Sequence, residues 1–236
     1  MITTDIVIVS YKDEEPLAKC IASIKEHCID YNLIIEDNNT DNRGFTKAVN
    51  EGIKKGTAPF VWLINSDAVV LKGAQRGLID MFSYHEKVGI VGSQQLDYHD
   101  QDLIAHGGTI RAFPGGAHKS GRVSMGHCKD PEKQTWVNFA SVMLRRKMVE
   151  EIGLLDENLF LLYSDSDYCY TARLKGWDVW YTPASRVLHR LNASKTVTDW
   201  HKKDMEAFMR KWGITYNPET KSFIYSDIFQ RLDMFP

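Results

Sequence analysis

FVWLINSD at residues 60–67 sets five apolar residues directly before three polar ones. So short and unbroken an apolar run reads as a strand buried on both faces, the kind found in parallel sheets covered by helices. Two earlier runs repeat the pattern. Ile6-Val7-Ile8-Val9 stops at Ser10-Tyr11-Lys12, and Asn32-Leu33-Ile34-Ile35 stops at Glu36-Asp37-Asn38. Helical spacings lie between them. Asp13 offers an N-cap with Glu14, Glu15 and Pro16 in the first turn, followed by Leu17, Cys20, Ile21, Ile24 and Cys28 on one face. Phe45, Ala48, Val49, Gly52 and Ile53 line the next helix, and a helix around 75–84 and a strand at 88–91 continue the pattern. Strand–helix alternation of this kind predicts a parallel, doubly wound α/β sheet with right-handed crossovers. Ligands of such sheets sit beyond the carboxyl ends of the strands. Three polar strand ends together mark a candidate nucleotide site, although Asp, Asn and Ser also favour such turns in their own right.

Farther along, residues 93–135 lose all periodicity. They hold six glycines, four histidines and few apolar residues, and predict a long loop-rich segment. His118, His127 and Cys128 fall there, in a spacing that matches no standard zinc pattern. Regular structure is expected again as a strand at 135–144 and as a helix at 166–175 that ends at Gly176. Short strands at 177–181 and 186–189 are separated by Pro183. Two domain-level pieces follow: a body at 1–195 and an amphipathic helical tail at 196–236. Met205, Phe208, Met209 and Trp212 share one face of the tail, and Ile224, Ile228 and Leu232 share another. Such faces pack on the body, join two copies as a homodimer, or touch a membrane surface.

The chain of 236 residues is long enough for one large domain. Its formal charge of −2 gives no general attraction to phosphate backbones or anionic lipid. Cys20, Cys28, Cys128 and Cys169 form no C-x-x-C pair, which points to reduced thiols. With no signal-peptide pattern and no transmembrane run, the expected place is the cytoplasm, at most peripheral at the inner membrane face.

Five ordered pieces of this sequence together resemble a known family: IVIVSYK at 6–12, IIEDNNTDNRGFTKAVNEG at 34–52, WLINSDAVV at 62–70, EIGLLDENLFLLYSDSDYCYTARLKGW at 151–177 and PASRVLHR at 183–190. The family is the inverting family-2 glycosyltransferases of GT-A fold, and the likeness is to its rhamnosyltransferase-like branch. The resemblance implies a Rossmann-like doubly wound mixed sheet. It also implies transfer of a sugar from a UDP- or dTDP-sugar to an acceptor hydroxyl, in glycan or polysaccharide biosynthesis. The acceptor is then a glycan, a lipid-linked glycan or another hydroxyl compound; near-neutral charge weighs against nucleic acid.

The same resemblance assigns roles residue by residue. A departing diphosphate accumulates negative charge that a divalent cation neutralises. The family's D-x-D appears here as Asn65-Ser66-Asp67, which leaves Asp67 as the strong anionic ligand. His189 is the second metal candidate, and an oxygen-plus-imidazole set suits Mn²⁺ better than Mg²⁺. The catalytic base is expected at Asp165, in a string that carries Ser164 where the family has Glu. Asp167 and Trp136 fall to the acceptor side or to secondary roles. Nucleotide-sugar contacts are expected from Ser10, Tyr11, Glu14, Asp37, Asn42, Arg43, Asn50, Asn65 and Ser66, with Arg43 pairing to phosphate at a helix N-terminus. Competing readings are a sugar-nucleotide nucleotidyltransferase and a non-catalytic sugar-binding module. The first normally opens with a glycine-rich loop after strand one, where this chain has acidic Asp13-Glu14-Glu15. A dinucleotide oxidoreductase would need G-x-G-x-x-G at that place.

Overall fold

The computed structural model describes residues 3–112, 114, 117–190 and 199–231. The first half runs β1 (Thr4–Ser10), α1 (Glu14–His27), β2 (Tyr31–Asp37), α2 (Phe45–Lys55), β3 (Phe60–Asn65), β4 (Ala68–Val70), α3 (Ala74–Met81) and β5 (Val88–Asp97). Short strands follow: β6 (Leu103–His106), β7 (Thr109–Arg111), β8 (Ala117–His118), β9 (Gly121–Arg122) and β10 (Glu132–Lys133). The rest comprises β11 (Ser141–Arg145), α4 (Arg146–Ile152), α5 (Ser164–Leu174), β12 (Asp178–His189), α6 (Asp199–Trp212), β13 (Thr215–Asn217), β14 (Ser222–Ile224) and α7 (Asp227–Arg231).

The main sheet has the order β10-β12-β5-β11-β3-β1-β2, with β4 on β12 and β6 on β5. β1 pairs in parallel with both β2 and β3, so the chain reverses its direction of travel across the sheet at β1. That reversal opens a crevice at the carboxyl ends. Register aligns Ser10 with Asp37 and Val9 with Asn65, so the polar strand ends read from the sequence share one edge. Alternation decides which helix covers which face. Ile6 and Ile8 join Cys20 and Ile24 of α1, whereas Val7 joins Val49 and Ile53 of α2 on the opposite side.

The sheet is mixed because β11 inserts antiparallel between β3 and β5. Three sequence expectations change here. Residues 93–97 extend β5, and the loop-rich segment to 135 is punctuated by short pairing strands whose two- to four-residue length is too short to show a period. The strand expected at 135–144 begins only at Ser141. The strands expected at 177–181 and 186–189 are one strand, β12, which carries Pro183 through a register shift between Thr182 and Arg186. A proline lacks the ladder N–H, and an irregularity is where a sheet tolerates it.

The tail is not wholly helical: Ile224 lies in the β13–β14 hairpin, α7 is one short turn, and Leu232 lies outside the described residues. Phe208 and Trp212 of α6 and Phe229 of α7 are buried around Tyr170 of α5. Each fully buried aromatic of this kind contributes about 2–3 kcal/mol by area removed from water. This packing places α6 directly behind α5. Among the described residues no helix is long and apolar enough to cross a membrane.

Candidate active site

Asp67 follows β3 in the turn that leads to β4, and β4 pairs antiparallel with the end of β12. That pairing sets His189 opposite Ala68 and brings His189 Nε2 to 3.4 Å from Asp67 Oδ1. Both side chains are largely enclosed. His189 Nδ1 is buried with no hydrogen-bond partner among the described residues. The ring nitrogen beside the carboxylate is Nε2, and leaving the other, buried Nδ1 unpaired costs about 1–3 kcal/mol for the unmade bond. The pair thus fits a divalent cation in donor chemistry, one anionic oxygen and one imidazole.

The strand ends around this pair are drawn together by Asp13. Its side chain does not cap α1 as the sequence suggested. Instead Oδ1 accepts from the Tyr11 N–H at 3.0 Å and the Ser10 hydroxyl at 2.9 Å, and Oδ2 accepts from the Ser66 hydroxyl. Ser10 and Ser66 are therefore fixed by this carboxylate, a role that no pattern in the sequence signals. Tyr11 is exposed with the Lys12 ammonium 5.1 Å from its ring centre, and Glu14 is exposed at the start of α1. Asp37 is also exposed; its Oδ1 accepts from the N–H and side-chain amide of Asn39 at 2.8 and 2.7 Å, which holds its carboxyl below the usual range.

Several expected ligand contacts are engaged within the protein instead. Arg43 pairs through Nη1 with Glu51 at 3.0 Å and through Nη2 with Glu36 at 3.3 Å, which ties β2 to α2. Asn42 accepts from the Asn38 amide and the Gly44 N–H, and the helix it was thought to lead begins at Phe45. Asn50 makes a two-way clamp on Leu155, at 2.9 Å to its carbonyl and 3.0 Å from its N–H, and also donates to Glu157. Trp136 is wholly buried, with its indole N–H on the Arg111 carbonyl at 3.0 Å; it offers no face to an acceptor.

Asp165 and Asp167 stand two residues apart in the first turn of α5 and have opposite surroundings. Asp167 is 2 % exposed at its side chain; Trp212 donates to one oxygen at 2.8 Å and Lys211 to the other at 2.9 Å. Its carboxylate is engaged by α6. Asp165 is partly enclosed and accepts from the Ser166 N–H at 2.7 Å. Burial outweighs that bond, with Asp167 adding repulsion, and the Asp165 carboxyl is pushed up to about 6. A carboxyl poised there is ionised near neutrality yet basic enough to take a proton.

The segment 137–140 links Asp165 to the metal candidates. Ala140 accepts from the Asn65 N–H at 2.9 Å, while Phe139 packs edge-on against Tyr168 of α5. Asn138 between them accepts from the Gln95 amide at 3.1 Å and the Ala140 N–H at 2.8 Å. Beside it His106 and His118 meet Nδ1 to Nδ1 at 2.7 Å against the Trp136 ring. His118 is thus held by another histidine, while His127 accepts from the Arg122 N–H. The two do not meet Cys128 in a zinc set: among the described residues no cluster of three such ligands occurs.

Comparison with known proteins identifies the fold. GalNAc-T7, solved with UDP, GalNAc and Mn²⁺, superposes on 98% of this chain and 54% of its own with a TM-score of 0.70 at 14% identity. TarS of S. aureus covers 80% of this chain and 37% of its own, with a TM-score of 0.57 at 12% identity. At such identities these likenesses establish the fold, and it is the GT-A fold. A curated relative, the uncharacterised protein y4gI of Sinorhizobium fredii (strain NBRC 101917 / NGR234), is 25% identical over 203 residues. Those residues are 75% of this chain, which spans only 22% of that relative's length. Residues 1–212, which take in every site residue described above, match the family described as Glycosyltransferase like family 2, and the chain belongs to that family.

Proposed function

We propose that this chain transfers a sugar from a nucleotide-diphosphate sugar, a UDP- or dTDP-sugar, to an acceptor hydroxyl with inversion at the anomeric carbon. The observation that carries the reading is the pairing of an oxygen and an imidazole, Asp67 with His189, at the strand ends. A carboxyl raised to about 6, Asp165, heads α5, whose Tyr168 packs on the segment that bonds Asn65.

In this reading the donor's nucleotide lies over the ends of β1 and β2, near Ser10, Tyr11 and Asp37. Asp67 and His189 hold a divalent cation, Mn²⁺ by the donor set, which when bound neutralises charge on the diphosphate. Asp165 accepts the acceptor hydroxyl proton while the new oxygen–carbon bond forms and the bond from the anomeric carbon to the diphosphate oxygen breaks. The products are the glycosylated acceptor and the nucleoside diphosphate. GalNAc-T7, of the same fold, was solved with UDP, GalNAc and Mn²⁺, which supports the choice of donor class and cation. Glycan or polysaccharide biosynthesis is the setting that suits a hydroxyl acceptor.

A panel of nucleotide sugars, tested for donor hydrolysis with and without Mn²⁺, examines this directly. At least one UDP- or dTDP-sugar should turn over only with the cation. Absence of turnover across the panel, with UDP and Mn²⁺ also failing to bind, would leave a non-catalytic module as the better description.

A further inference from the structure

Asp204 lies in the middle of α6 and is 1% exposed. Its carboxylate accepts from three successive backbone N–H groups: Phe160 at 2.9 Å, Leu161 at 2.8 Å and Leu162 at 2.8 Å. Successive N–H groups that converge in this way form an anion-holding concavity, and here a side chain of the same protein fills it. The same short segment is gripped from the other side. The Phe160 carbonyl accepts from the Phe45 N–H at 2.7 Å, and Gly44 lies so close that a Cβ there would meet the Phe160 ring at 2.6 Å.

The gripped segment runs straight into the head of α5. Tyr163 follows it in the left-handed region at φ 64°, a conformation that a residue with a side chain adopts only when its surroundings impose it. The Tyr163 carbonyl accepts from the Ser166 hydroxyl at 3.1 Å and the Asp167 N–H at 2.8 Å, which fixes the turn that carries Asp165. At its far end α6 holds the same turn again through Lys211 and Trp212 on Asp167. The helix therefore grips the loop before Asp165 and the residue two positions after it.

We propose that Asp204 is a positioning residue for Asp165: by holding the 160–162 N–H groups it sets the backbone that presents the proton-accepting carboxylate. The role rests on the transferase reading above. It does not involve Asp67, His189 or the strand ends, so donor binding is separate from it. A displacement of about 1 Å at a reacting group is enough to cost on the order of 10²-fold in rate.

The test compares single-turnover hydrolysis of the active nucleotide sugar, with Mn²⁺, in Asp204→Ala, Asp204→Asn, Asp165→Asn and Ile24→Ala. Ile24 is on the buried face of α1 in the other core cluster and serves as a variant that loses stability alone. Expected are a fall of about 10²-fold in the rate for Asp204→Ala and a smaller fall, of about five- to tenfold, for Asp204→Asn. Donor KM and UDP–Mn²⁺ affinity should stay within about twofold, and Ile24→Ala should keep the wild-type rate. If Asp204→Ala does not fold, Asp204→Asn decides, and an unchanged rate there overturns the proposal. It is also overturned if Ile24→Ala slows as much as the Asp204 variants. Asp165→Asn that still turns over refutes the transferase base instead, so the two failures are distinguishable.

Discussion

His189 Nε2 stands 3.4 Å from Asp67 Oδ1 while its other ring nitrogen is buried without a partner among the described residues. The two residues are far apart in sequence and meet only because β4 pairs with the last residues of β12. If they share a cation, their losses differ. Asp67→Ala removes the negative charge and should abolish Mn²⁺-dependent UDP binding. His189→Ala removes one neutral ligand, which water can replace, and should weaken binding by a smaller factor. Calorimetric titration of UDP in the presence of Mn²⁺ measures both, and wild-type affinity in Asp67→Ala would contradict the assignment.

Asp165 should trade stability for activity. Its folded carboxyl sits near 6, against an ordinary value near 3.8. Stability from this group is full below the ordinary value and is lost as pH rises through about 6, because the folded state then holds an ionised, poorly solvated carboxylate. Asp165→Asn removes that penalty. At pH 7.5 the variant should be more stable than wild type by about 1–3 kcal/mol, with the gap closing towards pH 4. Turnover should fall by about 10²–10⁴-fold, and wild-type turnover should decline on the acid side with a midpoint near 6. Urea unfolding at the two pH values and a pH–rate profile check these together.

How much of this was legible beforehand follows the range of the interactions. Strands β1 to β3 and their polar ends show in sequence because burial on both faces leaves an apolar run and turns leave a polar one. Asp67, Asp165 and His189 stood out because they fall in ordered local strings. The partners of Arg43 and Asn50 do not show in sequence because nothing local names them: Asn50 is clamped to a carbonyl 105 residues away. Asp13 has the signature of a helix cap, Asp before Glu-Glu-Pro, yet the Ser66 hydroxyl from the turn after β3 competes for it. Asp204 gave no signal at all, because its partners are backbone N–H groups, which every residue but proline supplies.

Asp167 should act on stability and not on acceptor affinity. Its buried carboxylate joins Lys211, which also reaches Asp156 at 2.9 Å. Lys211 draws the Asp167 carboxyl down, although burial dominates and leaves it raised. Asp167→Asn keeps an oxygen for the Trp212 N–H but leaves the ammonium facing an amide. The expected cost is about 1–3 kcal/mol in urea unfolding, the range for a broken bond to a charged group. Its turnover should fall far less than that of Asp165→Asn, with acceptor KM unchanged. A variant of normal stability and raised acceptor KM would return Asp167 to the acceptor side.

His106 and His118 predict how the β7–β8 hairpin answers to acid. Their Nδ1 atoms are 2.7 Å apart, so one ring must donate and the other accept; two protonated rings would set donor against donor. Burial lowers both below the ordinary value of 6.5, with the neighbouring His118 and His189 lowering His106 further. The sign follows from proton counts. Between the folded values and 6.5 the unfolded chain binds protons that the folded pair does not, so the contribution is full above 6.5 and is lost as pH falls below it. Asp165 has the opposite slope in part of this range, which makes global unfolding a poor probe and a local one necessary. The flanking bonds supply it: Gly107 N–H to the Lys119 carbonyl and Lys119 N–H to the Gly108 carbonyl, both 2.9 Å, close the hairpin beside the pair. Hydrogen exchange of these amides, corrected for the intrinsic pH dependence, should be faster at pH 5.5 than at pH 7.5. In His118→Asn the hairpin loses the shared proton, so protection should be lower at pH 7.5 and nearly independent of pH. Wild-type protection that is the same at both pH values would show that the histidine pair does not hold the hairpin.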